Sequence, residues 1–222
     1  MPGLFHRLRD GARAEWDAYV AHPFVAGLID GSLPAAAFKR YLVQDYLFLI
    51  HFARAFALAA FKSDTLADLS DRAATLHALT SHEMGLHVEY CRGWGISREA
   101  IEAEPEARET MAYTRYVLER GLAGDVLDLE VALAPCTIGY GAIGRAAVAD
   151  AKLKPDGNPY MPWIAMYSGA DYLAIADAQE ARLERLWAQR GSAARMPQLT
   201  KTFAEACRLE AAFWQMGLDA AR

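Results

Sequence analysis

The sequence is short of cysteine, of basic runs and of β-branched alternation, and each shortage excludes something. Its 222 residues include three cysteines, Cys91, Cys136 and Cys207. The count is odd and no C-x-x-C pair occurs, so a secreted disulfide framework is not expected; reduced thiols in a cytoplasmic protein fit better. Lys and Arg number 23 against 28 Asp and Glu, a net charge of −5. Without clustered cations there is no electrostatic basis for nucleic-acid binding. The most apolar stretch, Tyr41 to Phe61, is interrupted by Gln44, Asp45, His51 and Arg54, which argues against a membrane span. The N-terminal residues turn charged before an apolar core of signal-peptide length forms.

Metal ligands are also scarce in the right spacing. His82 and His87 stand five apart, and five steps of about 100° put them on different faces of a helix. Glu83 and His87, four apart, are placed to pair. No glutamate has a histidine three residues later, as a di-iron bundle would need. Gly139-x-Gly141 lacks a third glycine and a preceding strand, so it is no dinucleotide fingerprint. No metal and no organic cofactor is expected.

What is present is helix-forming sequence almost throughout, with 54% apolar residues to build a core. Helices are expected near 3–20, up to Gly31, and from about Pro34 to Lys62 behind a Ser32 cap. Others are expected from Thr65 to the Gly93-Trp94-Gly95 turn, at 106–120 and at 125–152. The last three lie near 160–168, 170–190 and 197–220. Lys154 to Pro159 reads as a loop. No linker divides the chain, so residues 1–222 read as one all-α domain.

The informative positions are polar residues on apolar stripes. Phe38, Tyr41, Leu42, Tyr46, Phe48, Leu49, Phe52 and Phe56 recur at helical spacing, and Asp45 falls among them. A carboxylate there must be paired, protonated or in contact with a ligand. On the last helix Phe203, Ala206, Cys207, Glu210, Phe213 and Trp214 form a second stripe with Glu210 at its centre. Pro135 inside a helix removes a hydrogen bond and predicts a kink. Gly139, Gly141 and Gly144 allow close approach of another backbone. Cys136 and Tyr140 share a face. A cysteine in that setting is either a small buried hydrophobe or a nucleophile.

Longer blocks of sequence carry a resemblance. His22-Pro23-Phe24-Val25-x-Gly27-Leu28-Ile29-Asp30-Gly31-Ser32-Leu33-Pro34 is followed by Phe38-x-x-Tyr41-Leu42-Val43-Gln44-Asp45-Tyr46-Leu47-Phe48-Leu49. Tyr113, Leu133-Ala134-Pro135-Cys136-x-x-Gly139-Tyr140, Trp163-Ile164-x-x-Tyr167-Ser168-Gly169 and Glu210-x-x-Phe213-Trp214 follow in order. Together they resemble the TenA/thiaminase II family over nearly the whole chain.

The resemblance implies an all-α, haem-oxygenase-like fold and a homotetramer. It implies an aminopyrimidine aminohydrolase of thiamine salvage. Such an enzyme turns 4-amino-5-aminomethyl-2-methylpyrimidine into the 5-hydroxymethyl compound and ammonia, and in some members also hydrolyses thiamine. The partner expected is thus a small pyrimidine, with neither nucleic acid nor membrane. By resemblance Cys136 is the nucleophile, Glu210 the general acid and base, and Asp45 the group that holds the ring nitrogen and 4-amino group. Tyr113, Tyr140 and Tyr167 are implied phenolic contacts, and Phe48 and Phe213 ring-stacking partners. Residues Met84 to Arg92 receive no role. A quinone-synthesis-type oxidase on the same fold would want a His- and Arg-rich pocket. A haem-binding protein would need an axial histidine, His6 or His22. A non-enzymatic regulator is the remaining alternative.

Overall fold

The computed structural model describes residues 2–222, except for the side chains of His82 and Glu83. The pairing expected of Glu83 with His87, and the metal reading of His82, therefore lie outside the described residues. Among the described residues the secondary structure is helical, with no strand. The order is α1 (Leu4–Gly11), α2 (Arg13–Val20), α3 (Pro23–Asp30), α4 (Ala35–Phe61), α5 (Leu66–Ala78), α6 (Met84–Gly93), α7 (Arg98–Glu102), α8 (Arg108–Ala123), α9 (Val126–Ala134), α10 (Tyr140–Ala149), α11 (Met161–Ser168), α12 (Ala170–Arg190) and α13 (Met196–Asp219). Two π-helical turns, Leu79–Glu83 and Pro135–Gly139, join α5 to α6 and α9 to α10.

The two stripes meet in the middle of the bundle. α4 packs on α13, and α13 also packs on α2, α8 and α9. Phe24, Tyr41, Trp163 and Trp214 form an aromatic knot between them, with Phe24 and Trp214 stacked at 4.8 Å. Each such buried ring removes apolar surface worth roughly 1.5–3 kcal/mol from water. α4 and the span Val126–Ala149 are each long and apolar enough to cross a membrane, yet most of each apolar window is buried in the bundle. A smaller apolar cluster of Tyr46, Leu47, Cys91 and Ile101 fills the space under α6 and α7.

Four local features differ from the sequence reading. The expected 3–20 helix is two helices, broken at Ala12. Gly11, just before the break, lets Thr200 of α13 come close, and glycine weakens a helix interior. Ser32 is not a cap: Pro34 takes the N-cap position and no side chain bonds the first turn. Between the Gly93-Trp94-Gly95 turn and the helix expected at 106–120, where no helix was expected, Ser97 caps the short α7 by accepting from the Ala100 N–H. Pro135 does not kink its helix so much as open it into a π-helical turn, which absorbs the missing N–H.

Candidate active site

The second π turn places Cys136. Two phenols and two glycines support it. The Tyr19 hydroxyl donates to the Pro135 carbonyl at 3.3 Å, and the Tyr172 hydroxyl reaches the Cys136 and Thr137 carbonyls. Gly139 makes room for the Tyr19 ring, since a Cβ there would overlap it. Gly144 does the same for the backbone at Tyr167. The close approaches expected of these glycines are thus real, and they bring Tyr140 and Tyr167 together with ring centroids 4.8 Å apart.

Cys136, Asp45, Tyr140 and Tyr167 line one cavity of about 570 Å³, closed on other sides by Leu49, Phe52, Met166 and Tyr172. A recess of about 320 Å³ adjoins it past Phe56, Thr75, Thr137 and Ile175. Glu210 lies directly behind Cys136. Its carboxyl accepts from the Tyr113 hydroxyl at 2.8 Å and from the Cys136 thiol. Burial pushes the Glu210 carboxyl up to about 8, helped by the nearby Asp45 charge, and the bonds from Tyr113 and Cys136 only partly draw it back. Glu210 therefore carries a proton at neutral pH. The Tyr113 phenol is held well above its ordinary range by burial and then by Glu210, so it stays a donor.

The structure thus gathers all eight implied residues around one centre, but in two layers. Cys136, Asp45, Tyr140 and Tyr167 form the wall. Glu210, Tyr113, Phe48 and Phe213 sit behind it, with Phe48 against Tyr113 at 4.9 Å and against Phe213 at 5.8 Å. Phe48 also stacks on Phe52 of the lining at 5.3 Å, and Phe213 meets Tyr41 at 6.1 Å; neither Phe48 nor Phe213 lines the cavity itself. His6 pairs with Glu180, and the His22 ring accepts from the Phe24 N–H. Neither lines the cavity.

Sequence reasoning paired His87 only with Glu83 and missed its place beside Asp45. It is fully buried, and its Nε2 lies 2.6 Å from Asp45 Oδ2. The signal was available: His87 stands four before buried Cys91 and three after Met84, a polar residue on an apolar stripe. The same test that singled out Asp45 and Glu210 applies to it. Counting from His82 obscured it, because a π turn ends between the two histidines.

The helical bundle has a haem-oxygenase-like fold, with a buried thiol and two buried carboxyl groups beside an aromatic-lined cavity. The chain belongs to the TENA/THI-4/PQQC family, whose model matches residues 9–220. A Halalkalibacterium halodurans protein named aminopyrimidine aminohydrolase is 38% identical, over 96% of this chain and 94% of its own. A crystal structure of a TenA family transcription regulator from a Silicibacter species superposes with a TM-score of 0.92 at 45% identity, covering 98% of this chain and 97% of that one. A Shewanella denitrificans domain with a heme oxygenase-like fold superposes with a TM-score of 0.71 at 15% identity, covering 97% and 92%, which bears on the fold alone.

Proposed function

We propose that the protein hydrolyses 4-amino-5-aminomethyl-2-methylpyrimidine to the 5-hydroxymethyl compound and ammonia. The observation that carries this reading is the Cys136–Glu210 pair, thiol against protonated carboxyl, at the wall of an aromatic cavity that Asp45 also lines. The similarity to a full-length aminohydrolase supports it.

The chemistry follows from the positions. A flat aminopyrimidine stacks among Tyr140, Tyr167 and Phe52, and Asp45 accepts from its 4-amino group. The Cys136 thiol adds across the ring, sulfur to an electron-poor carbon and proton to the neighbouring nitrogen. The C–N bond of the 5-methylene then breaks, and the amine leaves as ammonia with the proton of Glu210. Water attacks the methylene carbon and returns a proton to Glu210. Loss of the Cys136 sulfur, with its proton, restores the aromatic ring. Covalent addition divides one poor substitution into two easier steps.

The adjoining recess favours a second substrate. It offers space for a leaving group larger than an amine, so thiamine is proposed as a further, slower substrate. We also propose that the chain acts as a homotetramer. Phe61, Leu66 and Leu122 stand largely exposed at neighbouring helix ends, where Lys62 Nζ bonds the Gly124 carbonyl. Apolar surface of this kind marks association sites.

The test is ammonia release from the aminomethylpyrimidine by wild type and Cys136→Ser. Turnover that collapses in the variant is the expected result. Intact substrate and intact thiamine with wild type would overturn the reading.

A further inference from the structure

A carboxylate that must recognise an amine needs its second oxygen held, and two donors converge on that oxygen. Tyr41 Oη donates to Asp45 Oδ2 at 3.0 Å, and His87 Nε2 meets the same atom at 2.6 Å. The direction of the first bond is fixed from behind. Trp163 Nε1, which can only donate, gives its proton to Tyr41 Oη at 3.2 Å, and the Tyr140 hydroxyl also bonds to Tyr41. The single proton of Tyr41 is left for Asp45. Burial and the Asp45 charge hold the Tyr41 phenol far above its usual range, so that proton stays in place. Both lone pairs of Oδ2 are then occupied, one by Tyr41 and one by His87 as the Nε2–H donor. The other oxygen, Oδ1, is left with its lone pairs to meet a ligand.

We propose that His87 is a positioning residue that, acting through Asp45, sets the site's preference for 4-amino over 4-oxo pyrimidines. This rests on the aminopyrimidine reading above and deepens it. His87 is fully buried and does not line the cavity, so it touches Asp45 and not the ligand. With Oδ2 saturated by donors, the carboxyl group cannot rotate without leaving a buried donor unpaired. An exocyclic amine finds an acceptor at Oδ1. A ring carbonyl in the same place finds oxygen against oxygen. A site built to bond a ligand N–H rejects the analogue that lacks it far more strongly than an apolar pocket does.

The experiment uses the full chain. Calorimetric binding of 4-amino-5-hydroxymethyl-2-methylpyrimidine and of its 4-oxo analogue is measured alongside hydrolysis of the aminomethyl compound. The proteins are wild type, His87→Ala, His87→Gln and Tyr41→Phe, with Asp45→Asn alone and combined with His87→Ala. His87→Ala is expected to lower kcat/KM by about 10²-fold, the scale of a small misplacement of a positioned group. The amino-over-oxo preference should narrow by about tenfold, as for one lost directed bond. His87→Gln, which keeps a donor near Nε2, should recover most of both. Tyr41→Phe should narrow the preference in the same sense. With Asp45→Asn in place, removing His87 should add almost nothing, the coupling expected of two groups acting as a unit. An unchanged preference in both His87→Ala and Tyr41→Phe would overturn the proposal. So would equal losses in His87→Ala and His87→Gln, which mark a packing role. Because the two binding probes need no turnover, the preference is read even if hydrolysis fails. Binding with the preference intact but no hydrolysis would count against the aminohydrolase reading alone.

Discussion

Two glutamates are buried in this bundle, and their surroundings are opposite. Glu130 on α9 has Arg72 Nη2 at 2.8 Å and accepts from Gln179 Nε2 at 2.6 Å. Gln179 is bonded in turn by Arg182, which reaches Asp71. Among the described residues, the hydrogen-bond partners of Glu210 on α13 are a phenol and a thiol. Burial pushes both carboxyls up. At Glu130 a guanidinium and an amide hold the carboxyl, so the cluster fixes α5, α9 and α12 to one another. At Glu210 a phenol and the wall thiol hold it, so its proton stands beside the cavity, where it can be given to a ligand. Ion pairing makes a buried acid structural, and its lack makes one reactive.

The comparison can be broken from either end. Glu210→Gln should cost about 10²–10⁴-fold in kcat/KM, the range for a lost general acid and base, with folding retained. Wild-type kcat/KM should also fall above about pH 8, where Glu210 loses its proton, and that limb should vanish from the residual activity of the variant. Arg72→Leu should destabilise the fold by about 3–5 kcal/mol in urea titrations, because Glu130 is left buried without its cation. Arg72→Leu with Glu130→Leu should restore most of that loss, and the double variant should keep its turnover number.

Smaller effects sharpen the contrast. Gly139→Ala should cost about 1–3 kcal/mol through overlap with Tyr19, the usual range for overpacking. It should lower kcat as well, since Tyr19 supports the turn that carries Cys136. A separate effect is a slope with pH. The folded carboxyl of Glu210 holds its proton up to about 8, while an unfolded one releases it near 4.5. Its contribution to stability is therefore full below about pH 4.5 and lost as pH rises through 8. Thermal melts should show Glu210→Gln gaining on wild type between pH 5 and 9.

Much of this was legible in the sequence, for a reason visible in particular residues. Asp45 and Glu210 interrupt regular apolar stripes on long helices, and a broken period is readable without a fold. Cys136 stood out through its Pro135 and glycine neighbours. The bounds of α3, α4, α12 and α13 followed from caps, glycines and prolines. His87 was not read because it follows a π turn, where the angle per residue is no longer the α-helical one. The separation of the eight residues into a wall and a layer behind it was equally hidden. Periodicity assigns a face, but not the depth at which a side chain stops.

The two π turns make the site sensitive to chain length and not only to residue identity. Each inserts extra backbone into one turn and so rotates everything downstream. Removing a single residue from Pro135–Gly139 would swing Tyr140 about 100° around its helix and away from Cys136. Removing one from Leu79–Glu83 would carry His87 off Asp45 in the same way. A one-codon deletion in either turn would therefore re-aim the site's residues with every side-chain type around it unchanged.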